Sequence, residues 1–215
     1  MRALVTGHRG FIGSHFRDML LADGWTVVGR DIADGPQHDC RHYFATSDKR
    51  FDLVVHCAAI VGGRATIDGA PMAVAENLSI DAAMFQWALR TRPGHVLYWS
   101  SSAAYPIDLQ TGRDNLDPDA FRPGDQRLTE IDIDLDDIAH PDQTYGLAKL
   151  VGEVQARLVH EQGVAVTVPR TFSGYGADQS LDYPFPSFID RAARRADPFD
   201  IWGDGLQVRD WIHVD

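Results

Sequence analysis

The chain has 215 residues, two cysteines and a formal net charge of −11, with 44% hydrophobic and 24% charged residues. A chain of this size can bury about 70% of its unfolded surface and needs neither disulfide nor metal to hold a core. The acidic balance argues against a nucleic-acid partner, and no apolar run approaches the roughly 18 residues of a membrane span.

The chain enters a strand at once over residues 2–6, which leaves no room for a signal peptide and makes a cytoplasmic protein the expectation. A helix is predicted over 11–23, stopped by Gly24, and a second strand over 25–30. Residues 51–59 contain Leu-Val-Val, the pattern of a parallel strand covered on both faces. Cys57 lies in this run and reads as a buried free thiol, which suits a reducing compartment. Val74, Leu78, Ala82, Phe85 and Leu89 recur at helical spacing and predict a long helix over 70–91. Pro93-Gly94 ends it, and 95–99 is the next strand. Residues 114–142 hold ten acidic residues against two arginines and read as a solvated loop. A helix over 145–162, a strand over 164–169, a short helix over 187–195 and a strand over 199–202 complete the series. The predicted architecture is an α/β Rossmann-type doubly wound parallel sheet. It spans residues 1–170, and 171–215 form the start of a second, smaller C-terminal lobe.

Thr6-Gly7-His8-Arg9-Gly10-Phe11-Ile12-Gly13 lies between the first strand and the first helix. Gly7 permits a tight turn, Gly10 lets backbone approach a pyrophosphate, and Gly13 lets the helix pack close to the sheet. The helix start, at Phe11 and Ile12, then offers N–H groups and partial positive charge to phosphates. Asp31 closes the second strand, where a carboxylate accepts hydrogen bonds from an adenosine ribose and repels a 2′-phosphate. NAD is therefore expected over NADP, with Arg30 beside Asp31 as the one feature against it.

The ordered set of motifs resembles the extended short-chain dehydrogenase/reductase family, the nucleotide-sugar epimerases and dehydratases. It comprises Thr6–Gly13, Asp31, His56-Cys57-Ala58-Ala59 at the end of a fourth strand, Asn77, Ser100-Ser101-Ser102-Ala103-Ala104-Tyr105 and Tyr145-Gly146-Leu147-Ala148-Lys149. Gly203-Asp204-Gly205 and Arg209-Asp210-Trp211-Ile212-His213-Val214-Asp215 close it. The resemblance implies NAD as cofactor, held by the glycine turn, Asp31, Ala58, Ala59, Tyr145 and Lys149. It also implies a nucleotide-sugar substrate. Asn77 would serve the ligand pocket or satisfy backbone groups, and Arg209 would contact a substrate phosphate or form a surface salt bridge. In this family two helices per subunit, here 70–91 and 145–162, often form a four-helix dimer contact, so a homodimer is one expectation.

The chemistry is also readable from the residues. Tyr145 and Lys149 share a helix face at i and i+4. A free tyrosine, with a pKa near 10, is too weak an acid to serve as a base at neutral pH. A neighbouring ammonium and a cationic nicotinamide would lower that value. The serines end a parallel strand, at the edge where ligands bind in such sheets. Counting back four from Tyr105, as the family does, selects Ser101 as the catalytic hydroxyl, with Ser102 the choice if the register shifts.

Departures narrow the activity. Sugar 4,6-dehydratases place Asp-Glu where this chain has Ser102-Ala103. Ala58–Gly63 and Tyr105-Pro106 are similar to the fucose synthase and mannose 3,5-epimerase branch, but its proton-moving cysteine is Ala103 here, and Tyr175-Gly176 is followed by Ala177-Asp178. The usual substrate-binding asparagine after Arg170-Thr171-Phe172 is Ser173. Chemistry that needs only hydride movement remains: 4-epimerisation through a 4-keto sugar, with a 4-ketoreductase as the nearest alternative. A dinucleotide-binding regulator without catalysis is the reading from another class; retention of serine, tyrosine and lysine together argues against it.

Overall fold

Period-two alternation builds the sheet from strands that are apolar on both sides. Leu4, Val54 and Val96 point to one face, where they join Phe44, Phe51, Met84, Trp87, Tyr98 and Val159 in the larger core. Ala3, Val5 and Val55 point to the other and pack with Leu20, Phe16 and Leu97. The computed structural model describes residues 1–62, 69–70, 72–106, 128–136, 141, 144–201 and 210–215. Most of the acidic stretch 114–142, the glycines of 203–205 and Arg209 lie outside the described residues.

The strands are β1 (Arg2–Thr6), β2 (Thr26–Arg30), β3 (Leu53–His56), β4 (His95–Tyr98) and β6 (Val166–Thr167), all parallel in the order β2-β1-β3-β4-β6. Helix α1 (Phe11–Ala22) joins β1 to β2, and α3 (Ala73–Thr91) lies between β3 and β4. Helix α4 (Tyr145–Glu161) precedes β6. The order reverses between β1 and β3, so the carboxyl ends of these two strands flank a crevice at the topological switch point. Past Trp99 the sheet continues as a separate pair, β5 (Ser100–Ser101) with β7 (Arg170–Thr171). A third pair joins β8 (Ser173–Tyr175) to β9 (Trp211–His213), and α5 (Pro184–Ala193) lies between them in sequence.

Several expectations are corrected. The strand ending at His56 is third in chain order, not fourth. Residues 31–52 form two 3-10 turns (Ile32–Asp34 and Pro36–His38) and helix α2 (Cys40–Thr46) instead of a strand. The reason is a run of capping groups: Asp31 accepts from the Ala33 N–H, Pro36 opens the second turn, and Asp39 accepts from the Arg41 N–H. Phe199 to Ile201 form no strand, and Trp202 lies outside the described residues. The expected strand 164–169 is regular only over β6. On α3 the buried stripe is Asn77, Asp81, Met84, Phe85 and Ala88, rotated from the predicted one. Two polar residues, Asn77 and Asp81, take buried places on this helix because their side chains are hydrogen-bonded, as described below. Both cysteines are free. Among the described residues no helix is long and apolar enough to cross a membrane.

Candidate active site

The glycine turn sits in the crevice between β1 and β3. Gly7 has a φ of +68°, a conformation that costs glycine little, and its N–H donates to the Arg30 carbonyl at 2.8 Å. A Cβ on Gly7 would lie 2.8 Å from the Ala58 nitrogen, so this glycine seats the turn on the chain leaving β3. A Cβ on Gly13 would come within 2.1 Å of the Gly7 carbonyl oxygen. Gly13 therefore lets the helix close on the turn itself, rather than on the sheet as expected. At Gly10 the nearest atom to an added Cβ is 3.2 Å away, which leaves its outer side open. Helix α1 begins there with no side-chain cap and no acidic residue in its first turn. Phe11, Ile12 and Gly13 thus present helix-start N–H groups where a pyrophosphate fits. Asp31 stands at the end of β2 beside the turn, accepting from the Arg9 N–H and the Ala33 N–H, each at 2.9 Å. These features fit a dinucleotide: a glycine cradle that side chains would fill, an uncapped helix start and a carboxylate at the second strand.

Beneath the crevice runs a buried polar chain. The Thr6 hydroxyl lies 2.8 Å from His56 Nδ1, and His56 Nε2 lies 3.1 Å from Asp81 Oδ1. Tyr98 donates its hydroxyl to Asp81 Oδ2 at 2.6 Å. All four residues are at most 1% exposed. The carboxylate accepts from the imidazole Nε2–H, which leaves Nδ1 to accept from Thr6. Burial pushes the Tyr98 phenol well above its ordinary pKa, with Asp81 adding to the effect. On α4, Gly152 leaves room for this hydroxyl, since a Cβ there would sit 1.8 Å from it.

Above this chain lie the three residues singled out for catalysis. Tyr145 opens α4 and is half-buried. Lys149, one turn on, is buried, donates to the Trp99 carbonyl at 2.8 Å and stands 4.9 Å from the centre of the Tyr98 ring. Its ammonium is 5.7 Å from the centre of the Tyr145 ring. Ser101 accepts from the Ala103 N–H at 3.2 Å and lies close enough to the Tyr145 phenol to pull its pKa down. Ser102 begins the 3-10 turn Ser102–Ala104 and is half-buried. The protein alone raises the Tyr145 pKa, although Lys149 acts in the expected direction. Burial of the phenol is the largest cause and Asp81 adds to it; Lys149 and Ser101 pull the other way without winning.

The same helix face continues to a residue the sequence reading passed over. Glu153, buried, accepts from the Ser100 hydroxyl and from Arg170 Nη2 at 2.7 Å. Arg170 also donates to Glu130 at 2.5 Å and shares a hydrogen bond with Tyr105. This cluster fastens β5 and β7 to α4, and so fixes the Ser101 backbone. Its signal was the spacing Tyr145, Lys149, Glu153, three residues at i, i+4 and i+8 on one face. Thr6, His56, Asp81 and Tyr98 were missed as a set because their partners come from four different elements.

Other expected contacts resolve differently. Asn77 accepts from the Ile60 N–H at 2.7 Å and donates to the Ile60 carbonyl at 3.0 Å. It clamps backbone, the second of its two expected roles, at a small apolar cleft lined also by Val61, Val74 and Tyr145. Ser173 pairs with Trp211 in the β8–β9 ladder, and its N–H donates to the Asp210 carbonyl at 3.2 Å. Ala58 donates its N–H to the Thr6 hydroxyl at 3.4 Å, and Ala59 follows it half-buried. The β8–β9 pair reaches α1 through His15, which lies 3.1 Å from Asp178 and 3.0 Å from Asp215.

The chain is 29% identical to a dTDP-4-dehydro-6-deoxy-D-allose reductase of Streptomyces bikiniensis, over 98% of this chain and 68% of that protein. It is 26% identical to a probable UDP-glucuronate 4-epimerase of Rhizobium meliloti, over 100% of this chain and 65% of that one. Among solved structures, MoeE5 in complex with UDP-glucose and NAD superimposes with a TM-score of 0.74 at 29% identity, over 100% of this chain and 68% of that one. The sequence model of the NAD dependent epimerase/dehydratase family matches residues 3–215. The chain, with its glycine cradle, switch-point crevice and Ser-Tyr-Lys cluster, belongs to that family of NAD-dependent enzymes.

Proposed function

We propose that the protein is an epimerase that inverts C4 of a nucleotide-activated sugar through a 4-keto sugar, with Ser101, Tyr145 and Lys149 as its catalytic residues. The observation that carries this reading is the Lys149 ammonium, buried at the carboxyl edge of the sheet, fixed by the Trp99 carbonyl and 5.7 Å from the Tyr145 ring centre, with Ser101 close enough to lower the Tyr145 phenol's pKa. Bound NAD supplies the acceptor, and then the donor, of the C4 hydride. The protein's own part is proton handling and position. Tyr145 takes the proton of the sugar hydroxyl at its phenol oxygen and returns it when the carbonyl is reduced. Lys149, fixed by the Trp99 carbonyl, favours the phenolate. Ser101 holds the same sugar oxygen while the carbon changes hybridisation. Ala103, next to this pair, carries no exchangeable proton, which supports movement of hydride alone.

A second reading is favoured by the reductase relative, which aligns over 98% of the chain. The same residues would then reduce a 4-keto sugar once, consuming NADH. Proton NMR separates the two. The chain is incubated with NAD and UDP-, GDP- or dTDP-hexoses, or with NADH and the corresponding 4-keto sugars, beside Tyr145→Phe. A new anomeric signal formed with catalytic NAD, and absent from the variant, supports the epimerase. Turnover only of 4-keto sugars, with one NADH oxidised per product, supports the reductase. NADH binding without turnover of any sugar overturns both and favours a regulator.

A further inference from the structure

The adenosine end of the crevice carries more charge than the Asp31 carboxylate. Arg9 and His8, inside the glycine turn, both lean on Asp34. Arg9 Nη1 donates to Asp34 Oδ1 at 2.7 Å, and His8 Nε2 lies 3.0 Å from Asp34 Oδ2. The Arg9 backbone N–H donates to Asp31. The guanidinium that lies nearest the ribose carboxylate through its own main chain is thus paired with a second carboxylate three residues on. The His8 ring is laid flat on β2, where only a glycine fits: a Cβ on Gly29 would come 2.1 Å from it. Its Nδ1 is buried without a partner. The other cations nearby are also committed. Arg30 lies 4.5 Å over the Tyr43 ring and donates to the Gly29 carbonyl at 2.8 Å, while Arg17 pairs with Asp18 at 2.7 Å.

A 2′-phosphate is a near-dianion, and proteins accept it by offering a free arginine beside the ribose. Here an arginine is present but neutralised. We propose that Asp34 is a second determinant of dinucleotide choice: it holds Arg9 and His8 away from a 2′-phosphate, so that preference for NAD over NADP rests on Asp34 together with Asp31. The inference depends on the dinucleotide site described above, and is independent of which sugar is turned over. Asp34 stays ionised at neutral pH, since Arg9 holds its carboxyl below the usual range. A phosphate approaching Arg9 therefore meets a fixed negative charge as well as a competed cation.

The test reads binding, not turnover. NADH and NADPH are titrated separately into wild type, Asp34→Asn, Arg9→Ala and the double variant, following energy transfer from tryptophan to the reduced nicotinamide. Asp34→Asn is expected to tighten NADPH and to shrink the NADH-over-NADPH ratio by about tenfold. Adding Arg9→Ala is expected to remove that gain, and raising salt to reduce it. An unchanged ratio in Asp34→Asn, or a gain that survives loss of Arg9, overturns the inference while leaving the dinucleotide site intact. Failure of wild type to bind NADH overturns the site itself, and the inference with it. Should Asp34→Asn not fold, Arg9→Ala alone decides. With Arg9 committed to Asp34, NADPH affinity stays within about twofold, the scale of an exposed ion pair; a tenfold loss shows Arg9 already serving the phosphate and contradicts the proposal.

Discussion

Two clusters of polar side chains hold this protein together at opposite sides of the glycine turn, and they do so under different physics. The chain Thr6–His56–Asp81–Tyr98 is shut off from water and ties β1, β3, α3 and β4 into one floor under Lys149. His15 with Asp178 and Asp215 joins the β8–β9 pair to α1, and the two carboxylates there are 56% and 73% exposed. In the first cluster every lost partner strands a buried polar atom, which costs far more than the bond was worth. In the second, water replaces whatever is removed, and the median exposed pair contributes little. Tyr145 and Lys149, the proposed reacting groups, thus stand on the part that cannot rearrange cheaply, and β8 and β9 are joined to α1 by contacts that respond to conditions.

The comparison is broken most forcefully at Asp81. Replacing it with alanine leaves the His56 and Tyr98 donors buried without a partner, and a loss of about 3–5 kcal/mol is expected. Urea unfolding measures it through the midpoint; a loss below about 1 kcal/mol would place this cluster with exposed pairs and erase the contrast. Gly152→Ala tests the same floor by crowding. Its added Cβ collides with the Tyr98 hydroxyl, and a cost of about 1–3 kcal/mol is expected, read by the same transition.

Lys149→Met acts on chemistry more than on the fold. Burial already raises the Tyr145 pKa, and loss of the ammonium raises it further. Because the phenolate is the active base, the acid limb of the pH–rate profile is expected to move to higher pH, with turnover at neutral pH lower by about 10²–10⁴-fold. An unmoved limb would remove Lys149 from the account of proton handling.

The smallest effect is expected at His15. Its pKa is raised, chiefly by the Asp178 hydrogen bond. A raised folded-state value means that its stabilising contribution is complete below the ordinary histidine pKa near 6.5. That contribution is lost as pH rises through the folded value. Hydrogen-exchange protection of β8 and β9 should therefore weaken over that window in wild type and become flat with pH in His15→Gln. The stability difference is expected to stay below about 1 kcal/mol. Protection in β8 and β9 that ignores both pH and the variant would show these strands held by their apolar contacts alone.

What could be read from the sequence follows the range of the interactions. The sheet, the glycine turn and the Tyr145–Lys149 face depend on local period and spacing, and were legible. Ser101 was singled out by its count to Tyr105, and it stands at the end of β5 close to the Tyr145 phenol. The region from Asp31 to Asp52 carried no predicted element because its turns and short helix rest on capping contacts at Asp31 and Asp39 rather than on a long period. Asp81 was invisible because a carboxylate on a helix reads as surface until its buried partners are known. The opposing effect of burial on Tyr145 was hidden for a related reason. The neighbouring ammonium is visible in a Tyr-x-x-x-Lys spacing, whereas the desolvation that outweighs it is a property of the packed fold.

The central claim is that hydrogen moves at C4 as hydride, with Tyr145 carrying only the hydroxyl proton. Running the reaction in deuterium oxide with NAD and the accepted nucleotide-hexose, then reading the product ring by proton NMR, tests this directly. The account requires an inverted C4 with no solvent deuterium on any ring carbon, and no product from Tyr145→Phe. Deuterium at C3 or C5 would contradict it, since that label enters only when a base strips protons from carbon beside the ketone.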